Sequence, residues 1–218
     1  MRYILNGRNW DLSSDSSISN LMIQHIIQVG ISLIFGLAIA FPIALLISRY
    51  QRLYTPVLTT ASIIYTIPGI VLSTVILPFT GLNSVTIIIP LIAYSQLVLI
   101  RNIVAAFRSI DPALIDIGRA VGMNTFQLQT KVILPISLPV IIAGIRITVV
   151  TSIGIASIGQ LVGASNLGSL IFEGFSIAQR DEVVAGAILV SALAIVADLG
   201  LLGIQQIFSR GNTAVAAQ

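Results

Sequence analysis

The chain has 218 residues, 56% of them hydrophobic and 9% charged. A soluble domain carries about a quarter charged residues, so this composition reads as an all-α integral membrane protein. A net charge of +3 is too small to argue for nucleic acid. With one histidine and no cysteine, there is almost no material for a metal site or a histidine-based triad, and disulfides are excluded.

In chain order, residues 1–20 read as an external N-terminal segment. They do not resemble a secretory signal, because the apolar run starts late, is long and lacks a small-residue cleavage site. Apolar runs follow at 21–48, 56–80, 84–100, 136–160 and 183–208. A helix needs roughly 20 apolar residues to cross the hydrocarbon core, so about five transmembrane helices are expected in one membrane domain, 21–208. The first run is long enough to begin as an interfacial helix around Ile18. In the second, Pro68-Gly69 and Pro78 leave open whether the span is continuous or broken. The third, 17 residues, extends through Arg101 to Phe107 if the arginine snorkels toward the interface. Residues 209–218 read as a cytoplasmic, disordered tail.

Basic residues set the orientation. Arg49, Arg52, Arg101, Arg108, Arg119, Lys131 and Arg210 fall on one side, while Arg2, Arg8 and Arg180 fall on the other. The excess puts the N-terminus outside and the C-terminus in the cytoplasm.

Between spans three and four lies a polar stretch, DPALIDIGRAVGMNTFQLQTKVILPISLP (111–139). Asp111-Pro112 opens a helix, since Asp accepts from a free backbone N–H and Pro loses nothing at the first helical position. Gly122 stops that helix. Asn124 with Gln127 three residues on forms a capping box for a second, which runs to Leu134-Pro135. Two short helices at a glycine elbow make a rigid knob that another protein can grip.

Two charges lie inside spans: Arg146 about ten residues into span four and Asp198 about ten from the cytoplasmic end of span five. At 1.5 Å per residue both are roughly 15 Å deep. Either alone costs at least about 2.5–3.5 kcal/mol, which favours an ion pair or a wet cavity. A bridge locking two helices competes here with a proton or substrate site. Small residues recur over 143–168 and suit close helix packing. The segment IGQLVGASNLGSLIFEG (158–174) has too many turn formers to be all helix. It reads as a loop dipping back at the outer face, tolerable only where buried in protein or lining a cavity.

The 108–135 loop resembles the EAA loop of permease subunits of ATP-binding-cassette (ABC) importers, E-A-A, three residues, G, nine residues, I-x-L-P. Here it reads Asp116-Ile117-Gly118, Arg119-Ala120-Val121, Gly122, nine residues, Val132-Ile133-Leu134-Pro135. Asp for Glu, Ile and Gly for the two Ala, and Val for Ile are departures that loosen the register of single contacts. The 158–174 segment, GIRITVV (144–150) and AGAILVSALAIVADLG (185–200) resemble permeases of the glycine betaine, carnitine and choline importers.

That resemblance implies a type I ABC importer (MetI-like) permease core with cytoplasmic coupling helices, in a bacterial or archaeal cell (inner) membrane. It implies a cytoplasmic ABC ATPase dimer, a second permease copy or paralogue and an extracytoplasmic solute-binding protein, besides the lipid bilayer. Asp116, Arg119, Ala120, Gly122, Leu134 and Pro135 would couple to the ATPase. No Gly-Lys-Ser/Thr phosphate loop is present in this sequence, so ATP and Mg2+ belong on the partner and no cofactor is expected on this chain.

Tyr65 in span two, where Pro68-Gly69 can open the backbone beside it, and Tyr94 in span three are candidates for the translocation path because a quaternary ammonium favours aromatic faces. Gln96 and Asn166 are candidate polar contacts, and packing or interfacial roles compete for all four. Three cargo readings stand: a compatible solute such as glycine betaine, carnitine or choline; an amino acid such as methionine; and, last, an ATP-independent channel or secondary carrier.

Overall fold

Helices begin and end where the sequence supplies caps and breakers. The computed structural model describes residues 2–14 and 16–215, and among the described residues there is no strand. The helices are α1 (Arg2–Leu5), α2 (Ile18–Arg49), α3 (Tyr54–Thr66), α4 (Gly69–Thr80), α5 (Val85–Arg108), α6 (Pro112–Ala120), α7 (Thr125–Leu128), α8 (Leu134–Ala156), α9 (Gly168–Ser176) and α10 (Arg180–Val215). Single 3-10 turns occupy Gly7–Trp10, Gln51–Leu53 and Ser157–Val162.

Ser17 starts α2 by accepting the Asn20 N–H at 3.3 Å, so the first span begins at Ile18, three residues before the apolar run. Among the described residues, four helices are long and apolar enough to cross a membrane. The fifth expected span, 56–80, is the pair α3 and α4, bent by 90°. The cause is Pro68, which cannot donate to the ladder and drives the residue before it out of the helical region. Ile67 accordingly has φ −70° and ψ 129°. The third span does continue past Arg101, to Arg108. The last helix runs through Val215, past the start of the expected tail at 209. Residues 216–218 of that tail lie outside the described residues.

The centre of the bundle is α5, packed against α2, α3, α4 and α8, with α10 and α9 added on the far side of α8. At the end of the bundle carrying Arg49, Arg52 and Arg108, here termed the basic end, Ala40, Ala44, Ile47, Leu99 and Ile103 form the core. Val29, Ile87, Leu91 and Ile153 fill the middle. Ile18, Leu21, Leu167, Leu170 and Leu189 close the opposite end. Small residues set the closest approaches, as expected in lipid where van der Waals packing drives association. A Cβ on Gly144 would lie 2.5 Å from the Cβ of Asn102, so α8 rests directly on α5.

Gly144→Ala should therefore destabilise the bundle by about 1–3 kcal/mol, the usual cost of overpacking. Gly30→Ala in α2, where a Cβ meets nothing within 4 Å, should not. Thermal unfolding of the two variants in detergent checks this, and equal melting temperatures would refute it.

Candidate functional site

The knob between α5 and α8 is assembled by local hydrogen bonds. Asp111 Oδ1 accepts the Ala113 N–H at 2.9 Å, with Pro112 in the first turn. The α6 helix ends in a left-handed turn at Gly122, φ 84°, where the Gly122 and Met123 N–H groups return to the Arg119 and Gly118 carbonyls, each at 3.0 Å. The Asn124 side chain accepts the Gln127 N–H at 2.9 Å, and the Gln127 side chain accepts the Asn124 N–H at 3.0 Å.

The second helix of the knob differs from the separate short helix expected. It passes through a π turn at Gln129–Ile133 directly into α8, giving one helix over Thr125–Val162. Pro135 lacks an N–H and its ring crowds the carbonyl four residues back. Widening the turn just before it lets the helix continue. Gly118, a departure from the E-A-A pattern, is the buried crossing point of the knob: a Cβ there would lie 2.6 Å from Leu128 Cδ1.

What the knob presents outward is apolar. Ile117, Val121 and Phe126 are 60%, 69% and 76% exposed, and Ala120 is exposed beside them. Asp116 and Arg119 stand 3.7 Å apart and are largely exposed, a pair worth little for stability by itself. Leu134 packs on the basic-end core, while Pro135 is exposed.

Tyr65 and Tyr94 meet at the α3–α4 break, ring centroids 5.7 Å apart and edge to face. The Tyr94 hydroxyl donates to the Ile67 carbonyl at 2.7 Å, satisfying an acceptor that the broken helix releases. Tyr65 stays 39% exposed. Together with Pro68, Gly69, Gly154 and Ile158 the two rings line a groove of about 420 Å³.

Gln96 and Asn166 are not part of that groove. The Gln96 amide donates to the Gly36 and Ile92 carbonyls at 3.2 and 2.9 Å, tying α5 to α2. Asn166 is fully buried. Its amide donates to Gln28 Oε1 and the Ala156 carbonyl, both at 2.9 Å, and its oxygen accepts the Gly168 N–H at 2.8 Å. With every polar atom occupied, Asn166 holds the 158–174 segment inside the protein.

Arg146 meets Asp198 with two parallel bonds, Nε to Oδ1 and Nη2 to Oδ2, each 2.9 Å. Its remaining Nη1 donates to Gln205 Oε1 at 2.8 Å. The side chains are 21% and 35% exposed, on a shallow groove with Ile147, Val150 and Ile195. Such a fork-to-fork pair satisfies both charges and fixes α8 against α10.

Sequence reading passed over Gln205 and the buried pair His25 and Gln28. The His25 Nε2–H donates to the Ile153 carbonyl at 3.1 Å, and Gln28 donates to Ser84 Oγ and the Ser165 carbonyl at 3.1 and 3.0 Å. Their signal is helical spacing: His25, Gln28 and Ser32 share one face of an otherwise apolar span, which marks the face turned inward. At the opposite end of the bundle, the Tyr3 hydroxyl reaches Glu182 Oε1 at 3.3 Å. Burial, then the charges of Glu182 and Glu173, push the Tyr3 hydroxyl above its ordinary pKa.

Removing one member of the ion pair leaves the other uncompensated, whereas replacing both with apolar side chains removes charge and partner together. Asp198→Leu or Arg146→Met alone should reduce folded protein in the membrane, while the double variant should recover most of it. Quantitative blotting with size-exclusion profiles checks this; a double variant as poor as the worse single variant would contradict it.

Residues 21–213 match the family described as binding-protein-dependent transport system inner membrane component. The carnitine transport permease protein OpuCD of Listeria monocytogenes is 37% identical over 181 residues, 83% of this chain and 81% of that protein. The glycine betaine/carnitine/choline transport system permease protein OpuCD of Bacillus subtilis is 35% identical, over 88% of this chain and 87% of its own length. The osmoprotectant import permease protein OsmW of Salmonella typhimurium is 34% identical, over 86% and 89%. In fold, the chain is similar to an inward-facing structure of the MetNI methionine ABC transporter, with a TM-score of 0.79 and 24% identity over 88% of this chain and 95% of that one. The chain is a membrane-spanning permease subunit that belongs to the binding-protein-dependent transport system inner membrane components and has the type I ABC importer permease fold.

Proposed function

We propose that the chain is the permease subunit of an ATP-driven importer for a quaternary-ammonium compatible solute of the kind its relatives are named for: glycine betaine, carnitine or choline. The observation that carries the cargo is the agreement of relatives over more than four fifths of the chain, two named for carnitine or for glycine betaine, carnitine and choline and one for osmoprotectant import. The likeness to the methionine transporter, at 24% identity, speaks to fold and leaves the amino-acid reading without support of its own.

In this reading the basic end faces the cytoplasm, with the N-terminus outside. The knob docks on an ABC ATPase dimer, which binds ATP and Mg2+, through Ala120 and the exposed apolar residues beside Gly122. Asp116 and Arg119 border that surface, and Leu134 and Pro135 join it to the span behind. A solute-binding protein delivers cargo at the outer face. Two permeases, identical or paralogous, line the path, with Tyr65 bordering it and Tyr94 holding the break open as a positioning residue.

The energetics favour a rigid linkage. Driving a two-state pore from 1:99 to 99:1 takes about 5.5 kcal/mol of differential binding, more than a loosely tethered loop can transmit. Here the second knob helix is continuous with α8, and α8 is bonded to α10 through Arg146. Movement at the knob is therefore movement of the bundle.

Gly122 has open space around it but a positive φ, so the test is conformational. Gly122→Val, which cannot adopt that angle without strain, should insert normally yet cut ATP-driven uptake about tenfold or more, as expected for 1–2 kcal/mol or more of misfit at the elbow. Gly122→Asn, tolerant of the left-handed region, should keep most of it. Uptake of labelled glycine betaine in cells at matched expression reads this; wild-type uptake by the valine variant would remove the coupling role.

A further inference from the structure

Many helix hydroxyls in this bundle bond back to their own helix; the buried Ser73 hydroxyl does not, and neither does most of one face of α3. Thr74, Thr148, Thr151 and Ser191 each donate to the carbonyl three or four residues back in their own helix, as hydroxyls within hydrocarbon do to stay satisfied. On α3, Thr55, Thr59, Ser62 and Thr66 follow at steps of four, three and four residues and so share one face. Of these only Thr66 folds back, onto the Ile63 carbonyl. Among the described residues, Thr55, Thr59 and Ser62 carry no hydrogen-bond partner.

Facing them is Arg101 of α5, exposed and, among the described residues, without an ion pair. These five side chains line one groove of about 400 Å³. Thr66 also lines the tyrosine groove, so the two grooves join at the helix break. The depth is fixed by two contacts between α3 and α5: Arg108 lies over the Tyr54 ring at 4.4 Å, and Tyr94 binds the Ile67 carbonyl. Arg101 is seven residues from each of Arg108 and Tyr94, so it lies roughly 10 Å along the helix from both. That is inside the bundle's length, not at its end. An unpaired guanidinium beside unsatisfied hydroxyls is costly in lipid and inexpensive in water, and such residues face water-filled cavities or partners.

We infer that Arg101 and the Thr55–Thr59–Ser62–Thr66 face form a water-filled station on the basic side of the tyrosine pair that receives the carboxylate of a zwitterionic solute. This rests on the proposed cargo class and narrows it. Glycine betaine and carnitine carry a carboxylate that the guanidinium and the hydroxyls can bind. Choline carries only the cation, which Arg101 repels. Arg101 thus makes the path select zwitterions over a bare quaternary ammonium.

The natural absence of cysteine permits a direct test in the assembled transporter. In Ser62→Cys, thiol modification rates are measured with anionic (sulfonatoethyl) and cationic (trimethylammonioethyl) methanethiosulfonates, each normalised to its rate with a free thiol. The anionic reagent should be favoured about tenfold by the nearby positive charge, and the preference should vanish with Arg101→Gln and persist with Arg101→Lys. A thiol inert to both reagents, or a preference unaffected by Arg101→Gln, overturns the station. Inertness, with Arg101→Gln lowering only the amount of inserted protein, would assign Arg101 to a lipid phosphate instead.

In cells, Arg101→Gln should lower glycine betaine and carnitine uptake about tenfold and leave choline uptake equal or higher. Equal loss of all three would overturn the selectivity. If the wild-type chain accumulates none of the three, the proposed cargo fails, and the thiol rates still decide the groove.

Discussion

The bond from the Tyr94 hydroxyl to the Ile67 carbonyl is the contact on which the architecture of this permease turns. A helix that breaks inside a membrane leaves carbonyls without their helical donors, and the break persists only if the protein or a water-filled cavity replaces them. Tyr94 supplies one. The chain then bends by 90° into α4, which returns against α5 and the Ser157–Val162 turn. The Tyr94 ring also meets the Tyr65 ring edge to face in the groove. Arg108 over Tyr54 pins the other end of α3, so α5 fixes the helix at both ends while one face stays uncovered.

From α5 the linkage runs outward through close contacts. Gly144 brings α8 against Asn102, Arg146 binds α10, and α7 continues into α8 without a joint. Gly118 lets α6 cross over Leu128. Packed interfaces of this kind shift between discrete arrangements and do not deform smoothly. A push on the exposed apolar patch of the knob is accordingly delivered to the whole bundle. Flexibility is confined by the caps at Asp111 and Asn124, which use up the backbone donors that a mobile loop would leave to solvent.

The knob was largely legible in the sequence because its determinants are local. The Asp111 cap, the Gly122 turn and the Asn124–Gln127 box each involve residues within three or four positions of one another. The meeting of Arg146 and Asp198 was legible for a different reason: two opposite charges at one depth in hydrocarbon have few other partners. Gln205 as their third member was not, since a glutamine on a helix of small apolar residues carries no depth signature. The fusion of the second knob helix with α8 was also hidden, because Leu134-Pro135 reads as a stop unless a π turn makes room for the ring. Tyr94, Gln96 and Asn166 looked alike as polar side chains in apolar surroundings, yet Tyr94 and Gln96 are bound to backbone of other helices and Asn166 to the side chain of Gln28.

The sequence by itself determined the membrane class and the caps of the knob helices, and it left the continuity of 56–80 at Pro68 open, because charge scarcity and caps act through composition and nearest neighbours. Only the tertiary structure decided which polar groups are occupied and which are free. Asn166 is closed off by Gln28, 138 positions away, whereas Arg101, Thr55, Thr59 and Ser62 have no side-chain partner among the described residues. That division depends on the rotation of each helix about its axis. Rotation is set by how Gly36, Gly144 and their neighbours pack in three dimensions, and outside α2, where His25, Gln28 and Ser32 mark the inward face, polar spacing does not disclose it.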